Sequence, residues 1–206
     1  MVASMRLPIH HFDLLAHRYD CLFSRPADDP LPRLMDVRQG QHILDVGGGT
    51  GRNALALRDA GASVIVCDVS LGMMRRATER ELPGVLADVA HLPFGAGVFD
   101  QVLVVDAYHH FVEPDPEIAQ TLAVSELLRV LNHGGRLVIE EPNSNRWQAR
   151  LIAAAESILL MGSRFVSPEN LITRVTRQGG RLILRDEHGF SVDLIFEKPA
   201  LGEEAV

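Results

Sequence analysis

Asp45, Asp68, Asp88 and Asp106 each stand at the end of an apolar run, with about 20 residues from one to the next. If those runs are parallel strands of one sheet, their carboxyl ends open on one cleft and the four carboxylates line its rim. Such a rim favours a cation. At about 4 Å, opposite unit charges attract by roughly 4 kcal/mol at an effective dielectric of about 20, before desolvation is subtracted. The first run leads directly into Gly47-Gly48-Gly49-Thr50-Gly51. Glycines there let the backbone turn from strand to helix and let a ligand approach without meeting a Cβ.

The loop alone does not choose the ligand, because Gly49-Thr50-Gly51 followed by Ala54 also satisfies the dinucleotide pattern GxGxxA. The acids do choose. They repel the pyrophosphate of a nicotinamide dinucleotide and attract S-adenosylmethionine, which carries a sulfonium and an ammonium and no phosphate. Asp68, about 20 residues past the loop, is placed to hold ribose hydroxyls.

Tyr108, His109 and His110 follow the fourth run and are the candidate acid–base groups. An ordinary histidine titrates near about pH 6.5, suited to taking a proton near neutrality. Neighbouring side chains diverge on an extended backbone, so only one histidine is expected to face the cleft, and His110 is preferred. Glu140 and Glu141, after the fifth run, are alternative bases. Between Asn143 and Asn170, Ile152, Ile158, Leu159, Leu160, Met161 and Phe165 give an apolar substrate wall or an amphipathic helix packed on the sheet.

The elements that must position these groups alternate along the chain. Strands are expected at Gln41 to Val46, Ser63 to Asp68, Val85 to Asp88, Phe99 to Val105 and Arg136 to Glu140. Helices are expected at Gly51 to Ala60, from Ser70 as cap to about Arg80, and at Glu117 to Leu131. The strands are continuous apolar runs, as when helices cover both faces. Leu182 to Arg185 and Ser191 to Glu197 lie close enough to form an antiparallel hairpin. The fold class is therefore α/β: a doubly wound, mostly parallel seven-stranded sheet with helices on both faces and a C-terminal antiparallel hairpin.

These residues resemble the class I S-adenosylmethionine-dependent methyltransferases, in particular the ubiquinone/menaquinone-biosynthesis-like small-molecule enzymes. Asp45 to Gly51 is similar to their first motif, DxGxGxG, and Asp68-Val69-Ser70-Leu71-Gly72-Met73-Met74 to the second. Ala87 to Phe94 resembles the third, and Phe99-Asp100-Gln101-Val102 with His109-His110-Phe111 the fourth. Glu126 to Gly135 resembles the fifth, with Asn132-His133 where Lys-Pro is usual. His11-Phe12-Asp13, Ala16 and Tyr19-Asp20 match the arm that precedes the core. The resemblance covers about residues 11 to 140 well and the last third only in outline.

The resemblance implies roles. Gly47, Gly49 and Gly51 form the cofactor loop, with Asp45 toward the methionine end and Asp68 on the ribose diol. Val69 and Met73 cover one adenine face, Val89 lies at another part of the ring, and Asp88 accepts from the adenine amino group. Asp106 lies by the methionine ammonium, and Tyr19 belongs to a lid. It also implies one methyltransferase domain over 1–206: an arm or lid at 1–32, a cofactor core at 33–140, and substrate-side helices with the hairpin at 141–206.

Composition sets the outer bounds. The 206 residues carry 47% apolar and 23% charged side chains, the balance of one globular domain. A net charge of −7 argues against duplex nucleic acid, whose phosphates need neutralising. Cys21 and Cys67 are far apart with no CxxC pair, so neither a disulfide framework nor a metal site is expected. No run of about 20 apolar residues is present, and no signal-peptide core precedes His11, so a cytoplasmic protein without a membrane span is expected. The expected activity is methyl transfer from S-adenosylmethionine to a small, apolar or quinone-like molecule, leaving S-adenosylhomocysteine. A noncatalytic S-adenosylmethionine-binding module and an NAD(P)-dependent oxidoreductase are the alternatives.

Overall fold

The structure is a computed structural model, in which residues 13, 16, 31–113, 115–147, 163–200 and 202 are described. A short helix α1 (Leu31–Leu34) leads into β1 (His42–Val46), α2 (Arg52–Asp59), β2 (Ser63–Asp68), α3 (Leu71–Glu79) and β3 (Gly84–Leu86). After a 3-10 turn at Val89–His91 come β4 (Phe99–Val105), a second 3-10 turn at Tyr108–His110 and α4 (Pro116–Val130). The chain ends in β5 (Leu131–Pro142), α5 (Pro168–Arg177), β6 (Arg181–His188) and β7 (Ser191–Glu197).

The seven strands lie in the order β3-β2-β1-β4-β5-β7-β6. The first five are parallel, and β7 runs antiparallel between β5 and β6. This is the expected Rossmann-like sheet with its terminal hairpin.

Alternation of side chains across the sheet explains the continuous apolar runs. Leu44, Val102, Val104, Leu137, Ile139, Leu194 and Phe196 pack on one face with α4 and α5 residues such as Leu127 and Val175. Ile43, Val64, Val66, Leu103, Val105, Val138 and Ile195 pack on the other with Leu31, Leu57 and Ala77. Burying one such aliphatic side chain contributes about 1.5–3 kcal/mol.

The helices begin where their caps allow. Ser70 Oγ accepts from the Met73 amide at 3.1 Å, as expected for α3. Asp115 Oδ1 accepts from Glu117 and Ile118 at 3.0 Å each, starting α4 behind Pro116.

The larger departures from the expected boundaries are in β3, β5 and β6. β3 stops at Leu86 because the Asp88 carboxylate turns to cap the 3-10 turn, accepting from Ala90 N at 2.9 Å. β5 starts at Leu131, five residues before Arg136, and the chain from Asn132 to Gly135 bulges between the Phe99↔Leu131 and Gln101↔Arg136 pairs. β6 runs on to His188 through Arg185-Asp186-Glu187, a charged, exposed stretch that has no apolar signature.

Candidate active site

The glycine loop hangs on the end of β2. Gly47 N and Gly48 N both donate to the Cys67 carbonyl, at 2.8 and 3.3 Å. Gly49 N donates to Asp68 Oδ2 at 2.9 Å, and Ser70 N to Asp68 Oδ1 at 2.8 Å. One carboxylate thus fixes the loop after β1 and the start of α3 together. Gly47 (φ +67°) and Gly49 (φ +55°) take left-handed conformations that disfavour any other residue. A Cβ on Gly47 would collide with that of Ala107, so the loops after β1 and β4 meet here. Gly51 caps α2, its amide on the Gly48 carbonyl at 2.9 Å.

Asp45 was expected on the rim. The structure places it inside β1 and fully buried, one residue before the strand end. Its carboxylate lies beneath Gly48, where an added Cβ would stand 2.7 Å from Oδ2 and 2.9 Å from Val66 Cγ1. Asp68 is half-buried, whereas Asp88 and Asp106 are exposed at neighbouring strand ends. Asp106 has φ +50°, and its amide donates to the Glu140 carbonyl at 2.9 Å.

Around this rim, Val69 is 47% exposed, with Leu71 and Leu86 close behind at 42% and 41%. Leu71 and Leu86 were not singled out from the sequence. Met73 is buried, its Sδ 3.8 Å from where a Cβ on Gly49 would stand, and Val89 is also buried.

The arm reaches the same corner. Asp13 Oδ1 accepts from Ser70 Oγ at 2.6 Å and Gly72 N at 2.7 Å, and a side chain on Gly72 would press on the Asp13 backbone. Tyr19 lies outside the described residues, as do Cys21, Ile152, Ile158, Leu159, Leu160 and Met161.

Arg52 is a functional candidate that the sequence reading missed. Its Nε and Nη1 are buried and have no hydrogen-bond partner among the described residues. It is the first residue of α2, directly after the loop. An arginine at a helix N-terminus opposes the helix dipole, and that mismatch was the available signal. A guanidinium with two buried, unmatched nitrogens beside a glycine loop fits an anionic group such as an amino-acid carboxylate.

The acid–base candidates divide in two. Tyr108 is 1% exposed, and its hydroxyl donates to the Gln120 carbonyl at 3.3 Å and accepts from Arg174 at 2.8 Å. Burial pushes its pKa up to about 12, although the Arg174 bond acts the other way. The hydroxyl therefore faces α4 and α5. His109 is also buried, with Nδ1 2.6 Å from Glu141 Oε2 and its ring stacked on Phe165 at 4.3 Å. Glu141 Oε1 accepts from Tyr108 N at 2.8 Å. His110 is half-buried, with Nδ1 3.3 Å from Ser163 Oγ.

The divergence argued from an extended backbone does not hold. Residues 108–110 form a 3-10 turn, and the two imidazoles lie 4.1 Å apart.

A family model described as a methyltransferase domain matches residues 44–139. The demethylmenaquinone methyltransferase of Paenarthrobacter aurescens is 38% identical over 109 residues, 52% of this chain and 41% of that one. The Streptomyces avermitilis protein of the same name is 36% identical over 145 residues, 66% of this chain and 60% of that one. The chain thus spans about half the length of the curated relatives it matches. Among solved structures, a Thermotoga maritima S-adenosylmethionine-dependent methyltransferase superposes with a TM-score of 0.73 at 20% identity. That match covers 91% of this chain and 98% of that one. No helix among the described residues is long and apolar enough to cross a membrane.

Proposed function

We propose that the chain is a class I S-adenosylmethionine-dependent methyltransferase of the ubiquinone/menaquinone type, which the methyltransferase-domain match and the demethylmenaquinone methyltransferases it resembles support, and that it methylates a quinone-like small molecule in its reduced form. The observation that carries the cofactor part of this reading is the Asp68 carboxylate, tied to Gly49 N and Ser70 N at the carboxyl end of β2 beside the loop after β1, while the acceptor part rests on the likeness to demethylmenaquinone methyltransferases. An ionised carboxylate can accept about four hydrogen bonds, the chemistry that a ribose diol requires.

The residue roles follow from position. Gly47, Gly49 and Gly51 give the cofactor a backbone to lie against, and Asp45 supports that loop from below. Val69, Leu71 and Leu86 offer apolar surface to the adenine, Met73 and Val89 back it, and Asp88 accepts from the amino group. Asp106 lies toward the ammonium and Arg52 toward the carboxylate of the methionine end. In this reading 33–140 is the cofactor core, 1–32 with Tyr19 is the arm, and 141–206 is the substrate side.

The bound cofactor supplies an electrophilic methyl group, and the protein holds the acceptor in line with it. Such positioning contributes roughly 7–11 kcal/mol in favourable systems. A hydroquinone ring becomes nucleophilic at carbon once a hydroxyl proton leaves. His110 takes that proton at Nε2 when Nδ1 donates to Ser163 Oγ. The buried His109–Glu141 pair holds the His110 ring by contact. Tyr108 has a structural role in this account.

The test is transfer of a labelled methyl group from S-adenosylmethionine to dithionite-reduced demethylmenaquinone. Label in the quinone, matched by S-adenosylhomocysteine, is the expected result. Tight cofactor binding without transfer to any reduced quinone would instead favour the noncatalytic module.

A further inference from the structure

Glu140 on β5 and Asp193 on β7 face each other directly in antiparallel register, and Asp186 on β6 is paired with Asp193 from the other side. Glu140 is two residues from Val138 and Asp193 two from Ile195, so both lie on the sheet face that carries Val138 and Ile195. Directly opposed side chains in such a pair have Cβ atoms about 4.5–5.5 Å apart, and like charges there are destabilising. Positive charge among carboxylates set across three adjacent strands would stabilise them.

His188, at the end of β6, supplies part of it. Its Nε2 lies 3.0 Å from Asp193 Oδ2. Asp193 is only 5% exposed, yet its Oδ1 is buried without a hydrogen-bond partner. One ligand atom each from Glu140, His188 and Asp193 lies within 4.8 Å of the other two.

We propose that Glu140, His188 and Asp193 bind a divalent first-row transition-metal ion at the β5–β7–β6 edge of the sheet. Two carboxylates and one imidazole suit zinc or manganese, and three protein ligands leave a position open. Ligands at about 2.1 Å from a tetrahedral ion stand about 3.4 Å apart, so the widest of these separations must close by up to about 1.4 Å. His188 can make that movement, since its side chain is half exposed. The ion supplies the missing partner for Asp193 Oδ1 and offsets the Glu140–Asp193 repulsion. The site departs from the metal-free expectation drawn from cysteine usage, and it does not rest on methyl transfer.

The experiment uses the untagged full chain stripped with chelator. Calorimetric titration with zinc chloride, and manganese titration followed by electron paramagnetic resonance, give the stoichiometry and Kd. The proposal expects one ion per chain and at least a tenfold weaker Kd in His188→Ala and Asp193→Asn. His133→Ala, which alters another exposed histidine, should bind like the parent chain. His188→Ala is the decisive variant because its exposed side chain can be removed without emptying the core. Circular dichroism and thermal melting check that it stays folded. Failure to bind either ion, or binding unchanged in a folded His188→Ala chain, overturns the proposal.

Discussion

The Asp68 carboxylate accepts the Gly49 amide at 2.9 Å, across 19 residues of chain. With Ser70 N on its other oxygen, it holds the glycine loop in shape before any ligand arrives. Preorganisation of this kind reduces what binding must spend on ordering the site.

Asp68→Ala should therefore weaken S-adenosylmethionine by about 100-fold or more, because it removes both the loop brace and the proposed ribose acceptor. Hydrogen bonds to a charged group are worth about 1.5–3 kcal/mol each. Asp68→Asn should fall between, since its amide has one acceptor oxygen for two backbone donors. Calorimetry with S-adenosylmethionine and S-adenosylhomocysteine measures both, and a change below threefold in Asp68→Ala would contradict the assignment.

Gly48→Ala should destabilise the fold by about 1–3 kcal/mol through overpacking. Its Cβ would sit 2.7 Å from the Asp45 carboxylate and 2.9 Å from Val66 Cγ1, both in the core. Urea unfolding reads the loss as a lower midpoint at unchanged slope.

Tyr108 should keep its proton at pH 11. Burial raises its pKa from 10.0 to about 12. The folded state holds this proton more tightly than the unfolded chain does. The contribution to stability is thus full below pH 10 and declines as pH rises toward 12. With Tyr19→Phe removing the other tyrosine, ultraviolet titration follows Tyr108 alone. Tyr108→Phe should cost about 1–3 kcal/mol of stability by removing the bonds to Gln120 and Arg174, with little effect on cofactor Kd.

His110→Ala should lower kcat by about 10²–10⁴-fold, the range of a lost general base. The Kd for S-adenosylmethionine should stay within about threefold. Stopped-flow single turnovers separate the chemical step from product release. A His110→Ala chain with parental single-turnover rate would move the base to His109 or Glu141.

Much of this was legible in residue order. The strand–glycine–helix transition at Asp45 to Arg52 is local chemistry, and Ser63 to Asp68 and Phe99 to Val105 were readable as strands because both their faces are buried. Pairings across the chain were not legible. Glu141 meets His109 across 32 residues, and Asp193 meets Glu140 only because β7 returns between β5 and β6. Tyr108 sits beside two histidines in sequence, but a 3-10 turn sends its hydroxyl to Arg174, 66 residues on. Asp45 read as a rim acid because a strand end does not reveal which residue lies beneath the loop that follows.

The most direct test of the central claim is calorimetric titration of the purified chain with S-adenosylmethionine and, separately, with NAD. The account predicts saturable one-to-one binding of the sulfonium nucleoside and no heat of binding for the dinucleotide. Saturable binding of NAD with none of S-adenosylmethionine would contradict it.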